Sequence, residues 1–282
     1  VEQGKMHRFF VPKEAINNGK VLIQGQEFAH LSRVLRLTVG DVVAVFDGVG
    51  HEYAGRITAL RKNEALVEVQ EKPAPSKESP LELWLVQGIP KGEKMELIIQ
   101  KATELGVRGI IPLKTARCVV KLKGKEERRQ RWQKIAVEAA KQCGRAFVPE
   151  VVTPCSIGEF LECLPQKRHF FVPWEEGGVS FKEVLMGQNT TRQEAIGQDL
   201  TGQDSIGQKA TVQNEQKATG REVFAAPVYL VIGPEGGLAA EEVDRMKEYG
   251  AIPVTLGPRI LRTETASLVS IALVMFAWGD LG

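Results

Sequence analysis

Apolar residues change their spacing along this chain, and the change divides it in two. Through residues 6–72 the runs are short. Val42–Phe46 and Glu52–Leu60 have strand composition and meet at a turn around Asp47-Gly48, while 64–70 alternates apolar and polar positions as a third strand. Residues 8–12 read as a first extended piece, and 26–35 departs from the pattern, with Phe28, Leu31, Val34 and Leu35 at helical spacing. Several short strands separated by turn residues predict a compact β-barrel. Residues 73–80 end a stretch of prolines, serines and charges and read as a linker. Beyond it the period alternates. Strands are predicted over 81–87, 109–113, 168–172, Val228–Ile232 and 253–256, and helices over 93–105, 126–143, 241–249 and 265–278. Alternating strands and helices over 81–282 predict an α/β domain, a mostly parallel sheet with helices on both faces. Residues 187–220 do not belong to that pattern. They are rich in Gln, Gly, Thr and Ala, repeat Ala195-Ile196-Gly197-Gln198 as Ser205-Ile206-Gly207-Gln208, and read as a flexible surface insertion between two strands.

Composition narrows the class. An apolar content of 43% in 282 residues supports a real core. The longest apolar run, 268–278, is interrupted by Ser270 and falls short of the ~18–20 residues that span a bilayer. Residues 1–8 are polar and charged and lack the apolar stretch of a signal peptide. Cys118, Cys143, Cys155 and Cys163 form no CxxC pair and have no histidine at zinc-finger spacing, which argues against a metal site or a disulfide framework and for a reducing cytoplasm. The net charge of +2 conceals a concentration: residues 101–145 hold 13 Lys/Arg against 4 Asp/Glu, an excess of +9, and the rest of the chain carries −7. Such clustering is the footprint of phosphate-backbone binding, because neutralised phosphates release counterions.

Two glycine-containing stretches carry the candidate chemistry. Gly233-Pro234-Glu235-Gly236-Gly237 follows the strand Val228–Ile232, and Leu256-Gly257-Pro258-Arg259-Ile260-Leu261-Arg262-Thr263-Glu264-Thr265-Ala266 follows the next. In a parallel sheet, ligands bind beyond the carboxyl ends of strands. A phosphate is disfavoured, since Glu235, Glu241 and Glu242 crowd the start of the following helix and there is neither a P-loop nor a GxGxxG. A ligand with adenine, ribose and a cationic sulfonium tolerates those acids better. Thr263 reads as an N-cap with Glu264 in the first turn. The last helix has no charge from Thr265 to Gly279, so it has one apolar face for the sheet and another for a partner subunit.

The stretches GPEGG and LGPRILRTETA resemble the cofactor-binding part of the SPOUT methyltransferases. Within them the chain resembles the ribosomal RNA small subunit methyltransferase E family. His7-Arg8-Phe9-Phe10-Val11, Val34-Leu35-Arg36, Lys101-Ala102-Thr103-Glu104-Leu105-Gly106-Val107 and Glu138-Ala139-Ala140-Lys141-Gln142-Cys143-Gly144-Arg145 agree in order. The match fails across 187–220. It implies a PUA-like barrel over 6–72 joined to a trefoil-knot α/β domain over 81–282, acting as a homodimer. It further implies transfer of a methyl group from S-adenosylmethionine to N3 of one uridine of the small-subunit ribosomal RNA, free or in the assembled subunit.

On that reading the cofactor contacts are Ile232, Gly233, Pro234, Glu235, Gly236, Gly237, Leu256, Gly257, Ile260, Leu261 and Thr265. The uridine N3 proton needs a base, for which Glu96, Glu104 and Glu264 are the candidates, and Arg262 would stabilise the resulting anion. RNA contacts are expected from Arg8, Arg33, Arg36, Lys91, Lys101, Arg117 and Arg145. Three alternatives compete: a non-catalytic RNA-binding assembly protein, a SPOUT enzyme acting on another RNA position, and a nucleotide-phosphate enzyme. The first would have no use for the cofactor, which calorimetry can decide.

Overall fold

The computed structural model describes residues 6–70, 78–119, 124–187 and 226–282. The N-terminal unit runs β1 (Arg8–Phe10), β2 (Ile16–Asn17), β3 (Lys20–Gln24), a short helix α1 (Gly25–Ala29) that continues into a π-helical turn over His30–Val34, then β4 (Val42–Phe46), β5 (Glu52–Leu60) and β6 (Glu64–Val69). These strands form one curled sheet in the order β1-β4-β5-β6-β3-β2, antiparallel except for the β1–β4 pair. Phe9, Ile23, Val43, Val45, Ile57 and Val67 fill its inside, with Leu31 of the helical turn as a lid. The β2–β3 hairpin was not anticipated. It turns on Asn18-Gly19, both at positive φ (47° and 72°), the dipeptide that suits a two-residue hairpin loop.

The second unit contains β7 (Leu83–Gly88), α2 (Lys94–Glu104), β8 (Gly109–Lys114), α3 (Lys125–Cys143), β9 (Glu150–Val151), β10 (Cys155–Ser156), α4 (Ile157–Glu162), β11 (His169–Pro173), β12 (Val179–Ser180), α5 (Phe181–Leu185), β13 (Val228–Ile232), α6 (Ala240–Glu248), β14 (Ile252–Thr255) and α7 (Thr263–Trp278). Its sheet has the order β10-β8-β7-β13-β11-β14-β12, with β9 also on β8, and every pair is parallel. Covered on both faces, the central strands are apolar almost throughout, which is why they appear as continuous runs in the sequence. Leu83, Leu85, Leu230, Ile98, Ile271 and Val274 pack on the side of α2, α3 and α7, and Val86, Phe170, Val231, Val243 and Met246 on the side of α4 and α6.

The order of strands has a consequence for the chain path. β14 lies beyond β11, yet α7 packs against α2, β7 and β13. Residues 256–262 therefore lead the chain back across the exit of β13. On α7, Ser267, Ser270, Ile271, Val274 and Met275 are buried while Val269, Leu273 and Phe276 are exposed, Phe276 by 63%.

The two units are joined by buried polar contacts, and these correct two RNA-contact expectations. Arg8, with its side chain only 13% exposed, pairs with Glu52 (Nε to Oε2 2.7 Å), donates to the carbonyls of Ala140, Lys141 and Arg145, and stacks on Phe46. A cation here meets the carbonyl-rich, negative end of the α3 dipole. Arg145, 12% exposed, pairs with Glu78 and donates to the carbonyls of Thr103 and Val107. Both guanidiniums are thus turned inward instead of facing a phosphate: Arg8 holds the two units together, and Arg145 ties the start of the second unit to the end of α2. The Asp47-Gly48 turn joins the same contact, since Val148 N–H donates to the Gly48 carbonyl and Gly50 N–H to that of Ala146. The end of the expected linker is anchored as well: Glu78 accepts from the Ala146 and Phe147 N–H groups. Residues 71–77 and the body of the expected insertion, 188–220, lie outside the described residues.

Candidate active site

β13, β11 and β14 lie side by side, and each releases a loop at its carboxyl end: 233–239, 174–178 and 256–262. Between these loops lies a cleft of about 350 Å³ that opens into a smaller one of about 110 Å³. The larger part falls within the ~300–1,000 Å³ of small-molecule sites. Of the residues expected to hold a cofactor, Ile232, Gly233, Pro234, Glu235, Gly237, Leu256, Gly257, Ile260 and Leu261 line the combined cleft. Gly236 and Thr265 do not. Gly236 backs onto Arg117, which donates to its carbonyl (2.9 Å), and Thr265 is exposed on α7.

The cleft is held open by a buried polar network that the sequence reading assigned differently. Thr263 is the first residue of α7, not its cap; Arg262 stands at the N-cap position. The Thr263 hydroxyl donates to the Gly233 carbonyl (2.6 Å) and accepts from Gln87 Nε2 (3.0 Å). Ser267 Oγ lies 2.5 Å from Gln87 Oε1 and 2.8 Å from the Thr263 carbonyl. Gln87 and Ser267 are fully buried and Thr263 is 5% exposed. One hydroxyl thereby ties the two glycine stretches to each other and to the end of β7. Gly88, next along β7, lies directly under the first stretch, because a Cβ there would fall 2.6 Å from Pro234 Cδ and 2.7 Å from Pro234 N. Gly237 (φ +70°) and Gly257 (φ +105°) occupy backbone conformations that favour glycine.

The acids around the first stretch are engaged. Glu242 accepts from the N–H groups of Ala239 (2.9 Å) and Ala116 (2.7 Å), so the start of α6 is capped by its own carboxylate and offers no open amide cradle to a phosphate. Glu235 accepts from Lys91 N–H (3.2 Å) and pairs with Lys94 (3.1 Å). Partial burial raises the Glu235 pKa, but its own backbone N–H, the Lys94 and Lys91 donors and the Lys94 charge outweigh that, and the carboxyl sits below its ordinary value. Lys94 is correspondingly raised, chiefly by its bond to Glu235. Its ammonium also stands 3.4 Å from Glu264 Oε2, a buried oxygen that makes no hydrogen bond among the described residues. Lys94 so links α2, the first glycine loop and the start of α7.

Of the expected catalytic residues, Arg262 lines the cleft and is exposed, and Glu264 follows two residues later beside Lys94. Glu96 and Glu104 lie elsewhere: Glu96 pairs with Arg131 (2.5 Å) and Glu104 with Lys101 (2.9 Å) on the outer side of α2, and neither lines the cleft. That corrects both as bases, because spacing along α2 put them on one face without saying which way it looks. Lys101 is occupied by the same pair. The basic excess of 101–145 is partly neutralised internally too, with Arg129 on Glu126 and Lys141 on Glu27. Arg33, Arg36, Lys91 and Arg117 remain exposed. Arg36 is held at φ +52°, which a non-glycine residue rarely adopts. Among the described residues no cluster of His, Cys, Asp or Glu is placed to hold a metal ion.

Lys94, Gln87, Ser267 and the third loop, with Pro173, Trp174 and Glu175, were missed by the sequence reading. For the loop a signal was available, since Trp174-Glu175-Glu176-Gly177-Gly178 leaves an apolar strand just as the other two stretches do.

An RNA methyltransferase domain matches residues 77–275 and an RNA methyltransferase PUA domain matches 23–70. The chain is 33% identical over 280 residues to ribosomal RNA small subunit methyltransferase E of Bacillus subtilis, with 96% of each covered. The chain belongs to the ribosomal RNA small subunit methyltransferase E family. It is 31% identical to the Synechocystis member of that family, covering 95% of this chain and 77% of the relative. The crystal structure of the Neisseria gonorrhoeae enzyme bound to S-adenosyl methionine superposes with a TM-score of 0.77 at 29% identity, covering 99% of this chain and 100% of the other. The barrel and the parallel α/β domain described above are accordingly the family's PUA-like and SPOUT-type units.

Proposed function

We propose that this chain methylates small-subunit (16S) ribosomal RNA with S-adenosylmethionine as donor, at N3 of a uridine, and that it works as a homodimer in the cytoplasm. The observation that carries the reading is the two-part cleft between three loops at the carboxyl ends of parallel strands, in a chain of this family. The cleft fits the donor: Leu256, Ile260, Leu261 and Ala266 offer apolar contact to adenine, while Lys94, Glu235 and Arg262 line the larger part alone. The cofactor supplies an electrophilic methyl group on sulfonium. What the chain supplies is position, since in-line approach of a uridine to a held methyl converts an encounter into a near-unimolecular step.

Uridine N3 carries a proton at neutral pH, and its loss spreads negative charge onto the flanking carbonyl oxygens. Arg262, exposed at the cleft, is placed to stabilise that charge. Of Glu96, Glu104 and Glu264, it is Glu264, beside Lys94 and two residues from Arg262, that takes the proton. Of the cations expected to contact RNA, Arg33 and Arg36 on the barrel, and Lys91 and Arg117 beside the first glycine loop, face outward to meet phosphates. The exposed Val269, Leu273 and Phe276 of α7 give the face for a second copy. Among the described residues no helix is long and apolar enough to cross a membrane.

The test is methylation of small-subunit RNA, naked and assembled, with nucleoside analysis of the product. The expected product is 3-methyluridine; a methyl on ribose or another base overturns the position. Arg262→Ala and Glu264→Gln should lower kcat while leaving cofactor affinity within about two-fold, the pattern of contacts made in the transition state.

A further inference from the structure

Resting on the S-adenosylmethionine reading above, we propose that Glu175 holds the ribose of the donor, its carboxylate accepting hydrogen bonds from the ribose hydroxyls. The larger and smaller parts of the cleft share five lining residues: Pro173, Glu175, Ile260, Leu261 and Ala266. Glu175 is the one charged side chain among them, so it stands at the junction between the smaller part, which adds Leu256 and Arg259, and the larger part, which adds Lys94, Glu235 and Arg262. The donor runs along its length from adenine through ribose to the cationic amino-acid part. A molecule laid with adenine in the smaller part and its methyl toward Arg262 in the larger brings its ribose to the junction at Glu175.

The carboxylate is available for that role. Glu175 is exposed, and among the described residues no hydrogen bond or ion pair engages it. Its Oε1 lies against Gly237, at the position a Cβ would take if that residue were not glycine. The absence of a side chain at Gly237 is thus what lets the first glycine loop and the Glu175 loop close on one another. Arg117, whose Nη1 lies on the same side of Gly237, donates to the Gly236 carbonyl at 2.9 Å. Glu235, the other acid of the cleft, is bound to Lys94 and Lys91 N–H, which leaves Glu175 as the free acceptor. A carboxylate across a ribose diol is the arrangement by which an acid at the edge of an α/β sheet reads the sugar of a nucleotide.

Calorimetry with two ligands tests the assignment on the full chain. S-adenosylhomocysteine has adenine, ribose and the amino-acid part; 5′-methylthioadenosine has adenine and ribose alone. Glu175→Ala should weaken both by the same factor, about ten-fold, the size expected when a charged acceptor is lost, with the thermal midpoint unchanged because the side chain is exposed. Glu175→Gln, which keeps one acceptor oxygen, should fall between. A loss confined to S-adenosylhomocysteine would assign the carboxylate to the ammonium group and overturn the proposal, as would unchanged affinity for both. Wild-type chain that binds neither S-adenosylmethionine nor S-adenosylhomocysteine would instead refute the cofactor reading itself.

Discussion

Replacing Thr263 by valine removes one hydroxyl and almost no volume, which isolates the tie between the two glycine stretches. The swap keeps the β-branched shape but is not conservative in a buried site, because the hydroxyl is the working group. In the native chain that hydroxyl donates to the Gly233 carbonyl at 2.6 Å and accepts from Gln87 Nε2 at 3.0 Å. Gln87 Nε2 keeps a second partner in the Gly88 carbonyl at 2.9 Å, so the Gly233 carbonyl is the group that loses most. Leaving a buried acceptor unsatisfied costs ~1–3 kcal/mol, and because Gly233 is half-buried at the cleft and Gln87 stays bonded, the lower half of that range, about 1–2 kcal/mol, applies. Chemical denaturation followed by tryptophan fluorescence should show that loss as a lower midpoint with an unchanged slope. Gly233 lines the cleft, so its release should also weaken S-adenosylmethionine binding about five- to ten-fold in calorimetry, equivalent to ~1.0–1.4 kcal/mol. Thr263→Ser retains the hydroxyl and should restore most of both. Stability and affinity within ~0.3 kcal/mol of wild type in Thr263→Val would refute the network as the element that fixes the cleft.

Four further outcomes are expected. Arg8→Ala should lower stability by about 2–3 kcal/mol without any RNA present, because Glu52 and three carbonyls lose a charged partner that is mostly buried; a change visible only in RNA binding would refute its structural role. Gly88→Ala forces Pro234 to move and should cost ~1–3 kcal/mol of stability while weakening cofactor binding; wild-type behaviour would mean the first loop is not seated on β7. Burial, reinforced by Glu159, pushes the Cys155 thiol up to about 11, so at pH 8 a disulfide reagent should modify the exposed Cys143 and Cys163 quickly and Cys155 slowly, as peptide mapping can read. Glu235, held below its ordinary value, contributes stability above that value and loses it as pH falls through the lowered one. Glu235→Gln should flatten the acid limb of the stability profile below pH 4.5, by a small amount since the pair is partly exposed to solvent, and an unchanged limb would refute the contribution.

What the sequence determined by itself is the longer elements and their class. The strands Val42–Phe46, Glu52–Leu60 and Val228–Ile232 were legible to the residue because local period and turn chemistry decide them. The short pieces β2, β9, β10 and β12, with α4 and α5, were not, because two to six residues carry too little pattern to separate from a loop. The two glycine stretches and the exposed apolar stripe of α7 were also legible, since each lies within one continuous segment. Direction was not. Arg8, Arg145, Glu96 and Glu104 are charged residues in suitable segments, and nothing local tells whether such a side chain meets solvent, a ligand or another part of the chain. Tertiary structure turned Arg8 into the seam between the units, buried Arg145 against the end of α2, and paired the other two on the outer side of α2. It also decided the cleft, since β11, β13 and β14 are neighbours only through the crossover order of a parallel sheet. That non-local pairing brings Glu175, Gly237 and Leu256 to one place and gives Thr263 the Gly233 carbonyl instead of a helix cap.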